Sequence, residues 1–388
     1  MIKKIYFSAA LLACANLAFG QIDASRAIGQ SAAIANSISS ANLEVGASYT
    51  LQTPNSNIQG IINYKTREEG TVLIAGEADN GTFNLTTDAS GKVSGRYIVP
   101  SKRKAYTYST DASGNVIAKE VPIESLVCMD FAKVPSTPYS EAEAAKAAKL
   151  PARTTAIPAF SSKPNSKFVI YIDLDGEVTS GKDWSNEKTI NALPLRTYTD
   201  AQVEQLWNVT AQDYLPWDVN VTTDRTKFDA AAKKQRKMIV VTKTNETQYP
   251  GVGGVAMIGS FSDGLDEVAW CFNDGIKTIG ETCSHEIGHT VGLNHDGQNP
   301  NTPDYYQGHN NWAPIMGAVY STTTKTIDDA NTVGQWSKGE YSNATNTKED
   351  DLNIIATTNG FGYEPDDFGN LYTDANIGTI TLELDEKF

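Results

Sequence analysis

The sequence predicts an α+β protein: a small, mainly β N-terminal unit, a linker, and a larger mixed α/β domain. Three observations carry this reading. Residues 21–131 alternate short β-type runs with turn signals, residues 132–166 are rich in Pro, Ala, Ser and Lys, and from Lys167 onward strand-like and helix-like apolar periods alternate. The 388 residues leave room for a core in each part, and 40% hydrophobic with 20% charged residues fits a soluble globular chain. The net charge of −14 argues against nucleic acid as a main partner, because phosphate binding needs a basic face.

Residues 1–20 read as a secretory signal. Met1-Ile2-Lys3-Lys4 is a positive start, Ile5 to Ala13 is an apolar run too short to span a bilayer, and Ala18-Phe19-Gly20 is a small-x-small cleavage site. Cys14, after Leu11-Leu12-Ala13, forms an imperfect lipid-attachment box and raises lipoprotein anchoring as a competing reading. No later run is apolar enough for a transmembrane helix, so the expected location is extracellular or at the cell surface. Export permits a disulfide, and Cys271 with Cys283 is the natural pair, leaving Cys128 over.

The β unit rests on runs such as EGTVLIAGEADNGTFNLTT, with Asp79-Asn80-Gly81 and Ala112-Ser113-Gly114-Asn115 as hairpin turns. The linker holds one short helical stretch, Ser140–Lys149, and Lys149 and Arg153 among small residues are accessible to an activating protease. Beyond it, KFVIYIDLDG is a buried strand. Residues 200–215 have Val203, Leu206, Trp207 and Tyr214 at helical spacing, with Asp200 as N-cap. WDVNVTT, RKMIVVTKT, GVGGVAMIGSF and EVAWCF are strands, Lys227–Gln235 is a short helix, and Ile276–Leu293 and Lys348–Thr358 are further helices. The last residues, 365–388, resemble the beginning of another β segment.

The helix at Ile276–Leu293 carries most of the chemistry. HEIGHTVGLNHDG, residues 285–297, holds three of the four histidines in the chain. His285 and His289 are four apart and project from one helix face toward a single metal ion. Glu286 lies beside them as a general base. Gly292 permits the backbone angles that end the helix and turn the chain, and His295 arrives as third ligand from beyond it. Three imidazoles with an open fourth position make a catalytic zinc site, and a glutamate at that water points to peptide hydrolysis.

HExxHxxGxxHD followed by a methionine resembles the metzincin zinc peptidases, and the Asp after the third His resembles their reprolysin/adamalysin branch. Residues 167–370 also resemble secreted bacterial reprolysin-like proteins in LWNVTAQDYLPWDVNVTTD, GGVAMIGSF, YYQGHNNWAPIMG and QWSKGEYSNATNTKEDDL. The resemblance implies a twisted, mostly parallel sheet with an antiparallel edge strand, an active-site helix, and a C-terminal subdomain after the zinc motif. It implies Met316 beneath the site and Asp296 anchoring the loop after the third ligand. Some metzincins place a tyrosine two residues after the methionine; here that position is Ala318, and Tyr320 is the nearest candidate, with core packing as the alternative. Substrates of the family add as a strand along the sheet edge, for which GVGGVAMIGSF is the candidate. Residues between His295 and Met316, with a few beyond, are expected to wall a side-chain pocket. His309 is the one histidine outside the motif, read as a polar contact or a further ligand.

The layout of β unit, linker and enzyme implies a proenzyme inhibited by its own pro-domain. In ESLVCMDF, Cys128 can occupy the fourth zinc position as thiolate. Asp130 is a second candidate, and a buried structural cysteine is the third reading. Asp173 and Asp175, and Asp366 and Asp367, have acidic turn character without calcium-loop spacing, which leaves calcium open. The competing function is a surface adhesion or binding module that keeps the fold and holds protein or glycan in its cleft.

Overall fold

The computed structural model describes residues 24–68, 70–128, 156–180, 189–244, 252–265, 268–300, 305–319 and 333–365. Its N-terminal unit is an eight-stranded antiparallel sheet made from β1 (Ser25–Gln30), β2 (Ser48–Gln52), β3 (Asn57–Glu68), β4 (Thr71–Ala78), β5 (Gly81–Thr87), β6 (Val93–Val99), β7 (Lys104–Thr110) and β8 (Asn115–Val121). Strands β2 to β8 form a meander in chain order, and β1 closes the far edge against β8. Asp79 and Asn80 both take positive φ in the β4–β5 hairpin, the geometry in which Asn and Asp tolerate a two-residue turn. Near the start of this unit, among the β-type runs, Ser31–Ser39 forms helix α1, which buries Ala35 and Ile38 on the sheet. With only those few apolar anchors its helical period is weak, so packing decides it.

The C-terminal domain is built on a second sheet. Strands β10 (Val169–Asp173), β13 (Asn220–Thr222), β14 (Arg236–Val241) and β16 (Ala269–Cys271) run parallel, in the order β13-β10-β14-β16, and β15 (Gly254–Met257) adds antiparallel to β16. One further strand comes from the N-terminal part: β9 (Val127–Cys128) pairs antiparallel with β15, Cys128 opposite Ala256 and Val127 opposite Met257. Smaller pairs are formed by β11 (Glu177–Ser180) with β12 (Thr189–Ala192) and by β17 (Trp312–Pro314) with β18 (Val333–Gln335).

Alternation along the strands divides the core. Phe168, Ile170, Ile172, Ile239, Val241, Ala256, Ala269 and Cys271 face helices α2 (Asp200–Asp213) and α4 (Ile276–Val291). Val169, Tyr171, Met238, Val240, Val255, Met257 and Trp270 face the other way, toward helix α3 (Arg225–Ala230) and the N-terminal unit. The final helix, α5 (Asp351–Thr358), packs Ile355 and Ala356 onto the α4 side. Helix α2 is capped by Thr199, not Asp200: its side chain accepts from the Gln202 N–H, and Gln202 bonds back to the Thr199 N–H. Between the two parts, Arg96 pairs with Asp263 at 3.2 Å, and Lys233 donates to the Tyr64 hydroxyl at 2.9 Å.

Two expectations are corrected. Residues 156–166, read as linker, already belong to the C-terminal domain: Phe160 stacks on Trp207 at 5.1 Å and its carbonyl accepts from the Thr223 N–H. Its isolated aromatic between prolines carries no period, so only the docking partner reveals it. Cys271 and Cys283 form no disulfide; both are free and fully buried where β16 meets α4. Burial, with Cys271 bonded alongside, pushes the Cys283 thiol well up, so the thiolate that disulfide exchange needs is disfavoured. The pair fills core volume as two small hydrophobes. The signal segment, Cys14, Lys149, Arg153 and the segment after 365 lie outside the described residues.

Candidate metal centre

Helix α4 starts after Gly275 and ends at Gly292, whose φ of +115° is the left-handed conformation that glycine takes without strain. The Gly292 N–H bonds the His289 carbonyl and the Leu293 N–H bonds the Gly288 carbonyl, which closes the helix and reverses the chain toward His295. The reversal brings His295 back over the helix face. His285, His289, His295 and Cys128 each offer one ligand atom, and these atoms all lie within 4.8 Å of one another. They are the one such group of three or more His, Cys, Asp or Glu side chains among the described residues.

The imidazoles are oriented by the backbone. His285 Nδ1 donates to the Ile315 carbonyl at 2.8 Å, and His289 Nδ1 donates to the Leu293 carbonyl at 2.8 Å. A carbonyl only accepts, so in both rings the proton sits on Nδ1 and Nε2 carries the lone pair. The two Nε2 atoms are 3.0 Å apart. Two lone pairs facing each other at that distance repel unless a cation lies between them, and this is the observation that fits a metal to the site. Burial pushes the His289 imidazole down to about 4, and holds those of His285 and His295 well below their usual value. All three are therefore neutral near pH 7, the form that binds a metal.

The fourth corner comes from the other sheet edge. Cys128 Sγ lies 3.3 Å from His295 Nε2. Strand β9 holds it there, and the Ile258 N–H donates to the Leu126 carbonyl at 2.9 Å to extend the pairing. The loop after β15 is tied to the helix end, where the Gly259 and Phe261 N–H groups donate to the His289 and Thr290 carbonyls. Edge strand and metal helix thus form one rigid corner.

Glu286 is fully buried and neither carboxylate oxygen has a hydrogen-bond partner. Burial first, then Cys271, pushes its carboxyl well above the usual range. It lies against β15, where a Cβ on Gly254 would stand 2.4 Å from Glu286 Oε1. The space that a side chain at Gly254 would fill is taken by the glutamate itself. Met316 is fully buried beneath the helix, its sulfur 2.6 Å from where a Gly288 Cβ would be. Its carbonyl accepts from the Asp296 N–H at 2.9 Å, and the Asp296 carbonyl accepts from the Tyr306 N–H at 2.7 Å, so Asp296 ties the loop after His295 to this turn.

Tyr305 is the site residue that sequence reasoning missed. Its hydroxyl is 3.1 Å from His295 Nε2 and 3.8 Å from Cys128 Sγ. Ten residues separate it from His295, and no local spacing rule connects them. Tyr320 and Asp130 lie outside the described residues, as do Asp366 and Asp367. His309 stands apart from the metal group, bonded to the Tyr306 hydroxyl at 2.9 Å. Asp173 accepts from the Gly176 N–H at 2.8 Å, and burial raises its carboxyl to about 7.

A family model for the reprolysin-like metallopeptidases of family M12B matches residues 201–296. The matched span runs from α2 through the third histidine and includes Glu286. The match, with the histidine cluster, supports a metal-dependent peptidase acting on proteins or peptides, with zinc the typical metal. No curated protein matches the chain.

Proposed function

We propose that this chain is a secreted zinc endopeptidase of the metzincin type, made as a latent precursor that its own N-terminal unit inhibits. The observation that carries the reading is the Cys128 sulfur, delivered by a strand on the sheet edge into hydrogen-bond range of His295. His285, His289 and His295 would hold the metal, with Cys128 as its fourth ligand in the precursor. Zinc at this position supplies a Lewis acid and lowers the pKa of a water.

The chain's own groups do the rest. Glu286, with two unengaged oxygens, accepts the proton of the attacking water and delivers it to the leaving amine. Tyr305, whose hydroxyl already lies at His295 Nε2, donates to the substrate carbonyl oxygen as charge develops there. Withdrawal of β9, after cleavage within the segment between Cys128 and Ala156, uncovers the β15 edge for a substrate strand.

Metal analysis and casein cleavage test the reading on the precursor, the Cys128→Ala precursor and Glu286→Ala. One zinc per chain, a latent precursor, and cleavage released by Cys128→Ala and removed by Glu286→Ala are the expected results. A protein that binds zinc yet cleaves nothing that Glu286→Ala spares would be a binding module instead.

A further inference from the structure

A second concave site lies beside the metal centre and plays no part in the reaction described above. A cavity of about 550 Å³ is walled by Tyr306, Trp312, Trp336 and Tyr341, with Gln335 and Glu340 at its border. It is separated from the metal by a single extended segment: Tyr305 turns to His295, while Tyr306, next in the chain, borders the cavity. Trp336 forms the inner wall, its ring 3.1 Å from where a Gly288 Cβ would be on the metal helix.

The polar tips of three of these four aromatics are already engaged. Trp336 Nε1 donates to the Asp213 carbonyl at 2.7 Å, the Tyr341 hydroxyl donates to the Gly297 carbonyl at 2.9 Å, and the Tyr306 hydroxyl bonds His309 Nδ1. The rings hold each other in place: Tyr306 and Tyr341 stack at 4.4 Å, and Trp312 tilts against Tyr341 at 5.9 Å. What the rings offer a ligand is therefore chiefly π surface, with the Trp312 indole N–H beside it. The exposed Glu340 carboxylate is the one acidic group among the lining residues, neither Lys nor Arg is among them, and the one imidazole, His309, bonds the Tyr306 hydroxyl through Nδ1. Nearby Lys338 is held by Asp350 at 3.1 Å. Aromatic faces carry a negative quadrupole, so π walls with one carboxylate select a cation, and the chain's net charge of −14 adds to the attraction.

We infer that this cavity binds an arginine side chain of a polypeptide, the guanidinium lying against the rings and bonding the Glu340 carboxylate and the Gln335 amide oxygen. A planar guanidinium stacks on aromatic faces and has N–H groups for both acceptors, which a quaternary ammonium lacks. The inference rests on the peptidase reading only in taking its cation from a polypeptide.

Calorimetric titration of the full-length precursor tests it. The probes are Nα-acetyl-arginine N-methylamide, its norleucine counterpart and choline. The arginine amide is expected to bind saturably with one site, and the other two at least about tenfold more weakly. Glu340→Gln, at an exposed position, is expected to weaken the arginine amide by about tenfold while leaving the melting temperature unchanged. Equal binding of norleucine would make this an apolar pocket, and equal binding of choline a quaternary-ammonium site; either overturns the inference. So does an unchanged affinity in Glu340→Gln, or no binding of the arginine amide. These measurements need neither hydrolysis nor metal, so they can fail while the peptidase reading stands, and the reverse.

Discussion

The two faces of the C-terminal sheet are buried by different parts of the chain. On the helix face, Ile170, Ile172, Ile239 and Val241 meet Ile279, Cys283 and Ile287 of α4, and the whole cluster comes from residues beyond 156. On the opposite face, Val240, Val255, Met257 and Trp270 share one cluster with Ile98, Ala105, Ile123 and Val127 of the N-terminal unit. The difference separates two jobs. The helix that carries His285 and His289 is supported entirely within its own domain. Among the described residues the N-terminal unit reaches the site around the sheet edge, by way of β9 and Cys128. Scaffold and restraint are therefore distinct, and perturbing one should spare the other.

The sharpest separation is chemical. Glu286→Ala in the activated enzyme should lower peptide cleavage by about 10²–10⁴-fold with metal content and melting temperature kept, as cleavage kinetics and metal analysis will show. Loss of the fold in this variant would mean that the buried carboxyl is structural.

Packing variants probe the two faces directly. Ile287→Ala on the helix face should destabilise the C-terminal domain by about 2–5 kcal/mol and weaken metal retention. Ile123→Ala on the shared face removes a similar volume but should chiefly loosen the N-terminal unit, read as faster labelling of Cys128 by a thiol reagent. If both variants lose metal equally, the two faces are not independent.

Cys128→Ala in the uncleaved precursor should raise activity by about tenfold or more, since a thiolate is among the strongest ligands for zinc. Unchanged latency would shift the restraint from the sulfur to the β9 strand itself, and urea denaturation would then show whether the edge pairing outlasts the substitution.

The smallest effect is a pH slope confined to the helix-face domain. Burial, then Asp296, raises the Asp351 carboxyl from 3.8 to about 8, with Oδ2 accepting the Ser337 N–H and Oδ1 without a partner. A group with its folded pKa raised favours the folded state most below its unfolded pKa, and that contribution is lost as pH rises toward the folded value. Stability should therefore fall between about pH 4 and pH 8 at this group. Melting curves of Asp351→Asn should be flatter than wild type over that window; equal slopes would mean that solvent relieves the burial.

The legible parts of the molecule are those set by local geometry. His285, Glu286 and His289 lie on one turn of helix, and Gly292 ends it, because residue spacing alone dictates those placements. The strands β10, β14, β15 and β16 were visible as short apolar runs bounded by turn residues. What stayed illegible depends on contacts between distant segments. Helix α1 and the docked Phe160 segment exist because a surface elsewhere accepts them.

By itself, the sequence determined a three-histidine site with a glutamate beside it, in a domain that follows a β unit. Only the tertiary structure decided which groups complete that site. Cys128 and His295 are 167 residues apart, and their sulfur and nitrogen meet because β9 continues the sheet past β15. Gly254 is required by Glu286, and the Tyr305 hydroxyl stands at the His295 ligand nitrogen. The physical reason is the range of the interactions. Helical spacing acts over one turn and is written in the chain, whereas strand addition and side-chain packing join segments whose separation carries no periodic signal.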